Sequence, residues 1–135
     1  MNIFTKIQPY ALGLLRIIAG YMFLLHGTAK FFEFPVSMTG GNGAVELFSM
    51  MGVGGVLEIV GGTLFILGLF TRPVAFLLSG MMAVAYFQIH ASLDNVLLPI
   101  VNKGELAALY SLVFLNFVFL GAGAFSLDSK ICKKA

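Results

Sequence analysis

Charged residues are scarce in this 135-residue sequence. Asp, Glu, Lys and Arg together make up 10% of the chain, whereas an average soluble domain contains about 25%. Hydrophobic residues make up 59%, and the mean hydropathy is +0.99. Too few polar side chains remain to cover a surface that faces water. The composition therefore excludes a soluble monomer and indicates a polytopic membrane protein.

Cysteine is almost absent, since Cys132 in the lysine-rich tail is the single one. One cysteine excludes an internal disulfide, a CxxC thiol relay and a cysteine-built zinc or iron–sulfur site. The net charge is only +2, and the lysines are scattered or terminal rather than gathered on one face. This distribution argues against nucleic-acid binding and suits a role of the lysines in membrane topology.

Long apolar runs divide the chain into segments of the length that a membrane span needs, about 20 residues. We predict one all-α domain over residues 1–135, a four-transmembrane-helix antiparallel bundle. The predicted spans are about residues 10–32, 52–70, 73–91 and 104–123. The first span is expected to begin after Pro9 and to be retained, because Arg16 interrupts any signal-peptide core. In the connector 34–51, residues 44–51 are predicted to form a short interfacial helix or an early start of the second span, and residues 126–135 form a tail.

The basic residues predict the orientation of these spans. Four spans leave both termini on one side of the membrane. That side carries five basic residues and the other side carries two. The five are Lys6, Arg72, Lys130, Lys133 and Lys134, and the two are Lys30 and Lys103. The positive-inside rule therefore predicts that both termini are cytoplasmic.

Two charged residues lie deep inside predicted spans, away from the span ends: Arg16 in the first and Glu58 in the second. A charge deep in a bilayer costs at least about 2.5–3.5 kcal/mol on insertion scales, so it normally has a partner or a function. We predict a buried Arg16–Glu58 ion pair that organises the bundle. Alternatively, Glu58 could pair with His26 or Lys30 or be protonated. Arg16 could instead extend its charge to the membrane interface.

Small residues predict where helices pack closely, because association in lipid depends on backbone approach and interhelical polar contacts. In the second span, one glycine pair lies a turn before Glu58 and another lies a turn after it. Together with one glycine of the first span, the predicted packing positions are Gly20, Gly54, Gly55, Gly61 and Gly62.

With this topology, six polar side chains from four helices converge on the non-cytoplasmic half of the bundle. They are His26, Lys30, Glu58, Gln88, His90 and Glu105. Taken singly, each also fits an ordinary interfacial or loop position. Together they predict a small polar pocket that opens toward the periplasm.

Three kinds of ligand could use such a pocket. Haem would need His26 and His90 at equal depth on facing helices, and a divalent metal could take the same histidines with Glu58 and Glu105. A quinone-like ligand demands least, because it needs only hydrogen-bond donors beside an apolar wall. We therefore favour quinone over haem or metal. We assign no catalytic residue, because no Ser or Cys lies beside a plausible base.

Several short motifs in this order and spacing resemble the DoxX family of small bacterial membrane proteins. The hallmarks are an arginine early in span one, a His-Gly-x-x-Lys motif at the end of that span, and a glutamate followed by glycines in span two. In this sequence they are Leu15-Arg16-Ile17-Ile18-Ala19-Gly20, Phe23-Leu24-Leu25-His26-Gly27 with Lys30, and Leu57-Glu58-Ile59-Val60-Gly61-Gly62 running on to Leu67-Gly68-Leu69-Phe70-Thr71-Arg72.

The resemblance implies a four-helix bundle in the bacterial inner membrane. The family takes its name from a subunit of an archaeal thiosulfate:quinone oxidoreductase, and other members are linked to redox-stress complexes or, in distant eukaryotic relatives, to receptor assembly. We therefore expect a membrane subunit or quinone-proximal partner of a redox complex. Its partners would be lipid, a soluble redox enzyme, another membrane subunit or a second copy. The alternatives are a non-enzymatic scaffold or assembly factor, and a small transporter or lipid-binding protein.

Overall fold

The computed structural model describes residues 2–131, which form helices, turns and loops with no β-strand. The helices are α1 (Ile3–Phe32), α2 (Met50–Leu67), α3 (Thr71–Ala85, continued by a π-helical turn Tyr86–His90), α4 (Pro99–Asn102), α5 (Glu105–Leu120) and α6 (Leu127–Ile131). Part of the predicted basic tail, Cys132, Lys133 and Lys134, lies outside the described residues.

Within residues 2–131, three helices are long and apolar enough to cross a membrane: Ile3–Phe32, Met50–Leu67 and Thr71–His90. Helix α5 is also apolar but has only 16 residues. At 1.5 Å per residue it is about 24 Å long, shorter than a hydrocarbon core of about 30 Å. The all-helical membrane class therefore holds, whereas a fourth span remains a prediction.

Helix α1 begins earlier than predicted, at Ile3, and it runs through Pro9. Asn2 caps it, since its side chain accepts a hydrogen bond from Phe4 N at 3.4 Å. A proline inside a helix lacks the N–H that would bond the carbonyl four residues earlier, here that of Thr5. Here the Pro9 carbonyl takes a tertiary donor, Ala124 N at 2.7 Å. Because the helix begins at the Asn2 cap, Pro9 lies within it rather than at its first turn.

Residues 33–49 form only turns and irregular backbone, and α2 begins at Met50, before the predicted Gly52. Of the two possibilities for 44–51, the structure therefore favours an early start of the second span over a separate helix. Ser49 caps α2, its hydroxyl accepting from Gly52 N at 3.0 Å. The preceding backbone folds across this first turn so closely that a Cβ on Gly52 would lie 2.0 Å from Glu46 O. Val45 N donates to Lys30 O at 3.0 Å, so the connector returns to the end of α1 before α2 begins.

The chain divides into two compact units, and the first comprises residues 2–71 and 122–131 of the described part. In it α1 and α2 pack antiparallel. Gly20 faces Gly62, and further along α1 Gly27 faces Gly55. A Cβ on Gly27 would lie 2.8 Å from Gly55 O and 2.6 Å from the Ile59 side chain. Such close backbone contact is the kind that small residues permit in membranes.

The second unit comprises residues 72–121, with α3 and α5 as its long helices. Two serines join them reciprocally: Ser79 Oγ donates to Ser111 O at 2.8 Å, and Ser111 Oγ donates to Ser79 O at 3.0 Å. Further toward the connecting loop, Gly104 packs against the Tyr86 ring, where a Cβ would lie only 2.7 Å from ring carbons. These contacts make α3 and α5 antiparallel within this unit.

Candidate functional site

A nearly buried ion pair joins the end of α1 to the middle of α2. Lys30 Nζ lies 2.7 Å from Glu58 Oε1 and 2.8 Å from Oε2, and only 12% and 7% of the two side chains are exposed. Charge-assisted hydrogen bonds of this length are among the strong ones in proteins. Each charge therefore satisfies the other in surroundings that offer little water.

The glycines of α2 make room for this pair. A Cβ on Gly55 would lie 3.3 Å from Lys30 Cδ and 2.7 Å from the Phe31 ring. The lysine stem can thus cross α2 one turn before Glu58. Of the predicted packing positions, the described contacts place Gly20, Gly55 and Gly62 at the α1–α2 interface, while Gly61 is buried and Gly54 half-buried.

Arg16 has partners other than the predicted Glu58. Its side chain is fully buried. Nη1 donates to the carbonyls of Ala122 and Ala124, and Nη2 donates to those of Phe125 and Ile66. Nε has no hydrogen-bond partner among the described residues.

The acceptors of Arg16 explain this correction. The last carbonyls of a helix, such as that of Ile66 in α2, lack intrahelical donors, and so do the carbonyls of the irregular segment 122–125. A guanidinium has five donors and no acceptor, so it can serve several such carbonyls at once. The predicted Arg16–Glu58 pair is therefore replaced by two separate arrangements, an arginine among carbonyls and a lysine–glutamate pair.

Asp128 is a structural residue that sequence reasoning missed. Its carboxylate accepts from Phe70 N at 2.8 Å and from Thr71 N at 2.9 Å, and thus caps the start of α3. Its own N–H donates to Gly68 O at 2.9 Å. Asp is a preferred helix cap, but this one lies more than fifty residues along the chain from the helix that it caps. A local sequence pattern could not identify it.

The first unit contains three of the six predicted pocket residues, at one end of the α1–α2 pair. His26 precedes Lys30 by four residues on α1, so the two side chains lie on one face of the helix, and His26 is half-buried. With Glu58 they form what we call the His26–Lys30–Glu58 cluster. It combines an imidazole, an ammonium and a carboxylate.

The other three predicted pocket residues belong to the second unit. Gln88 and His90 lie in the π-helical turn, the first exposed and the second half-buried, and Glu105 is the exposed first residue of α5. A pocket made of all six remains a prediction. Within residues 2–131, no group of three His, Cys, Asp or Glu side chains is arranged to hold a metal ion.

Comparison with known proteins identifies the family. The model of the DoxX family matches residues 11–91, well over half of the chain and including most of α1 and all of α2 and α3. The chain belongs to the DoxX family. A Haemophilus influenzae relative, described as an uncharacterized protein, is 62% identical over 135 residues, which is 99% of this chain and 100% of the relative. No solved structure matches.

The DoxX match includes Arg16 and the whole His26–Lys30–Glu58 cluster. It ends before the segment 122–128, which supplies three of the four carbonyls around Arg16 and the Asp128 cap. In this DoxX protein, therefore, residues outside the matched region complete the surroundings of an arginine inside it.

Proposed function

We propose that this protein is the membrane subunit or quinone-proximal partner of a redox or oxidative-stress complex in the bacterial inner membrane. Both termini would be cytoplasmic, and the cluster would face the periplasmic side. The supporting observation is the Lys30–Glu58 pair, with 2.7 Å and 2.8 Å contacts and an imidazole one turn away. The ligand would be a quinone or a similarly built amphipathic molecule.

The donor inventory of the cluster suits a quinone head group. An ammonium has three N–H donors, and the two Glu58 oxygens accept two of them. The third donor of Lys30 would serve a carbonyl oxygen of the ligand. The role assigned to these side chains is binding and orientation. Electrons would come from a partner redox enzyme.

Binding of a quinone analogue to purified protein in lipid nanodiscs tests the proposal. The key variant is the double change Lys30→Met with Glu58→Leu, which removes both charges together and leaves neither unpaired. We expect it to weaken binding by at least tenfold. His26→Ala removes the imidazole one turn from Lys30 and should weaken binding less than the double change does.

Lys6→Met is the matched control, because Lys6 is an exposed lysine on the same helix, and it should bind as the unchanged protein does. A folded double variant that binds the analogue with unchanged affinity would contradict the proposal.

A second candidate is the non-enzymatic scaffold or assembly factor. The observation in its favour is that the buried charges have partners within the chain: four carbonyls around Arg16 and Lys30 on Glu58. Native mass spectrometry from mild detergent separates the two candidates. A bound small amphipathic molecule together with a redox enzyme supports the first, whereas a protein partner without any small ligand supports the second.

A further inference from the structure

The loop between α3 and α5, residues 91–104 including the short helix α4, exposes several of its large apolar side chains. Leu93 is 99% exposed and Leu97 is 86% exposed. The other large apolar side chains exposed in this loop are Leu98, Ile100 and Val101. A loop in water normally exposes polar side chains, so this composition of the outer surface needs an explanation.

Polar side chains at the same loop, those of Tyr86 and Asn102, satisfy part of its backbone. Tyr86 Oη donates to Val96 O at 2.7 Å. Asn102 Nδ2 donates to Asn95 O at 3.0 Å and to Tyr86 Oη at 3.2 Å, while Asn102 Oδ1 accepts from Gly104 N at 2.8 Å. Internal pairing of irregular backbone is what a low-water environment requires, because lipid supplies no hydrogen bonds.

The register of α3 and α5 determines the depth of the loop. At the reciprocal Ser79–Ser111 contact the two helices are level. From there α3 continues for eleven residues to His90, about 16 Å, but α5 extends only six residues back to Glu105, about 9 Å. Helix α5 thus begins about 7 Å short of the end of α3, and the loop occupies this step beside the last turn of α3.

We propose that the loop 91–104 lies in the interfacial layer of the bilayer, with its exposed leucines, Ile100 and Val101 in contact with lipid acyl chains. It would extend the apolar surface of α5, which at 16 residues is too short for the hydrocarbon core. Just before this loop, Phe87 and Ile89 on the last turn of the α3 segment are 63% and 62% exposed, and they would belong to the same lipid-facing surface.

Charged residues limit how deep the loop lies. Asp94 and Lys103 are both exposed, and their charges would stay at the level of the lipid head groups. The loop would therefore lie along the boundary and would not cross into the bilayer centre. This arrangement favours lipid as the occupant, because the apolar surface continues that of a spanning helix.

Spin labels at single cysteines test the depth of the loop. In a Cys132→Ser background, the label is placed by Leu97→Cys, and the protein is reconstituted in phosphatidylethanolamine–phosphatidylglycerol vesicles. Collision with oxygen, which concentrates in lipid, is compared with collision with a water-soluble nickel chelate. Leu97 is so exposed that the substitution removes few contacts and leaves folding intact.

Two reference positions calibrate the measurement. A label at Leu14→Cys gives the reference value for a lipid environment, since Leu14 is 62% exposed within the α1 span. A label at Asn42→Cys, in the glycine-rich connector, gives the reference value for water. We expect the oxygen-to-nickel ratio at Leu97 to be several-fold above that at Asn42 and close to that at Leu14. A ratio equal to that at Asn42 would overturn the proposal. Exclusion of both reagents would overturn it too, because it would mean a protein partner or a second copy on this surface.

Discussion

Two cations with little exposure in the first unit, Arg16 and Lys30, replace the hydrogen bonds of water in different ways. Arg16 distributes its donors among carbonyls of the chain, whereas Lys30 directs its ammonium at one carboxylate. The planar guanidinium suits several fixed acceptors, and the compact ammonium suits a single anion. A buried pair adds little net stability, yet removal of one partner leaves an uncompensated charge.

At the residue scale, the ion pair predicts a specific order of stability. Glu58→Leu should lower the free energy of unfolding by about 3–5 kcal/mol, because it leaves the Lys30 ammonium without its counter-ion. The double change Lys30→Met with Glu58→Leu should recover most of this loss. Thermal unfolding in detergent, followed by the folded fraction in size exclusion, measures both variants. Equal losses from the single and double variants would contradict the account.

Sequence alone identified Arg16 and Glu58 as charges inside spans, since apolar runs surround both. It could not assign their partners, because these depend on tertiary contacts. Because Gly27 faces Gly55, the Glu58 backbone is level with about residue 24 of α1. The pair forms because the Lys30 and Glu58 side chains both lean toward the N-termini of their antiparallel helices and meet between them. The acceptors of Arg16 belong mostly to an irregular segment that carries no local pattern.

At the element scale, the α1–α2 pair depends on glycines spaced seven residues apart, about two helical turns. They are Gly20 and Gly27 on α1, and Gly55 and Gly62 on α2. The spacing keeps these glycines on one face of each helix. The expected result of adding one methyl group there is strain between backbones, not merely a displaced side chain.

Gly27→Ala should therefore destabilise the protein, because the new Cβ would meet Gly55 O at 2.8 Å. Gly80→Ala is the matched control, since nothing lies within 4 Å of a Cβ at Gly80 and alanine favours helix by about 1 kcal/mol over glycine. Unfolding temperatures in one detergent give the comparison. If Gly27→Ala proved as stable as Gly80→Ala, the close contact would be refuted.

The connector after α1 is organised by one carboxylate. Glu33 accepts hydrogen bonds from Ser37 Oγ at 2.7 Å, Thr39 Oγ1 at 3.0 Å and Gly43 N at 3.3 Å. The hydrogen bonds from Ser37 and then Thr39 hold the pKa of Glu33 below its ordinary value. A lowered pKa means that ionised Glu33 stabilises the connector above the unfolded pKa of about 4.3. This stabilisation is lost as pH falls through the folded pKa.

We therefore expect the Gly43 amide to keep its NMR chemical shift from pH 7 to about 5 and to change it below about pH 4. Glu33→Gln should abolish this titration, because the amide cannot ionise. Spectra in detergent micelles at several pH values provide the test. A Gly43 shift that stays constant down to pH 3 in the unchanged protein would exclude Glu33 as the organiser of the connector.

Element boundaries illustrate what sequence patterns can resolve. Apolar runs located the long helices, but the pattern at 44–51 could not distinguish a separate short helix from an early start of α2, which begins at Met50. Ser49 caps α2 there, and the backbone at Glu46 crosses the first turn of α2. Likewise Pro9 indicated a helix start, although Asn2 supplies the cap. Caps and tertiary backbone contacts decided both boundaries.

At the scale of the whole molecule, the first unit is built from both ends of the described chain. The segment 122–131 returns to the α2–α3 turn, where the Asp128 carboxylate accepts hydrogen bonds from two backbone amides. Asp128→Ala should lower stability by about 1 kcal/mol, as loss of a helix cap does, and shift the Phe70 and Thr71 amide resonances. The exposed Asp94→Ala is the control. Unchanged Phe70 and Thr71 resonances in Asp128→Ala would contradict the cap.

The surroundings of Arg16 have a consequence for biosynthesis. Helix α1 leaves the ribosome first, but three of the carbonyls that receive its guanidinium lie between 106 and 109 residues further along the chain. While α1 and α2 enter the membrane, Arg16 must keep water or contacts with the insertion machinery. Its native coordination can be completed only after residues 122–125 have been translated.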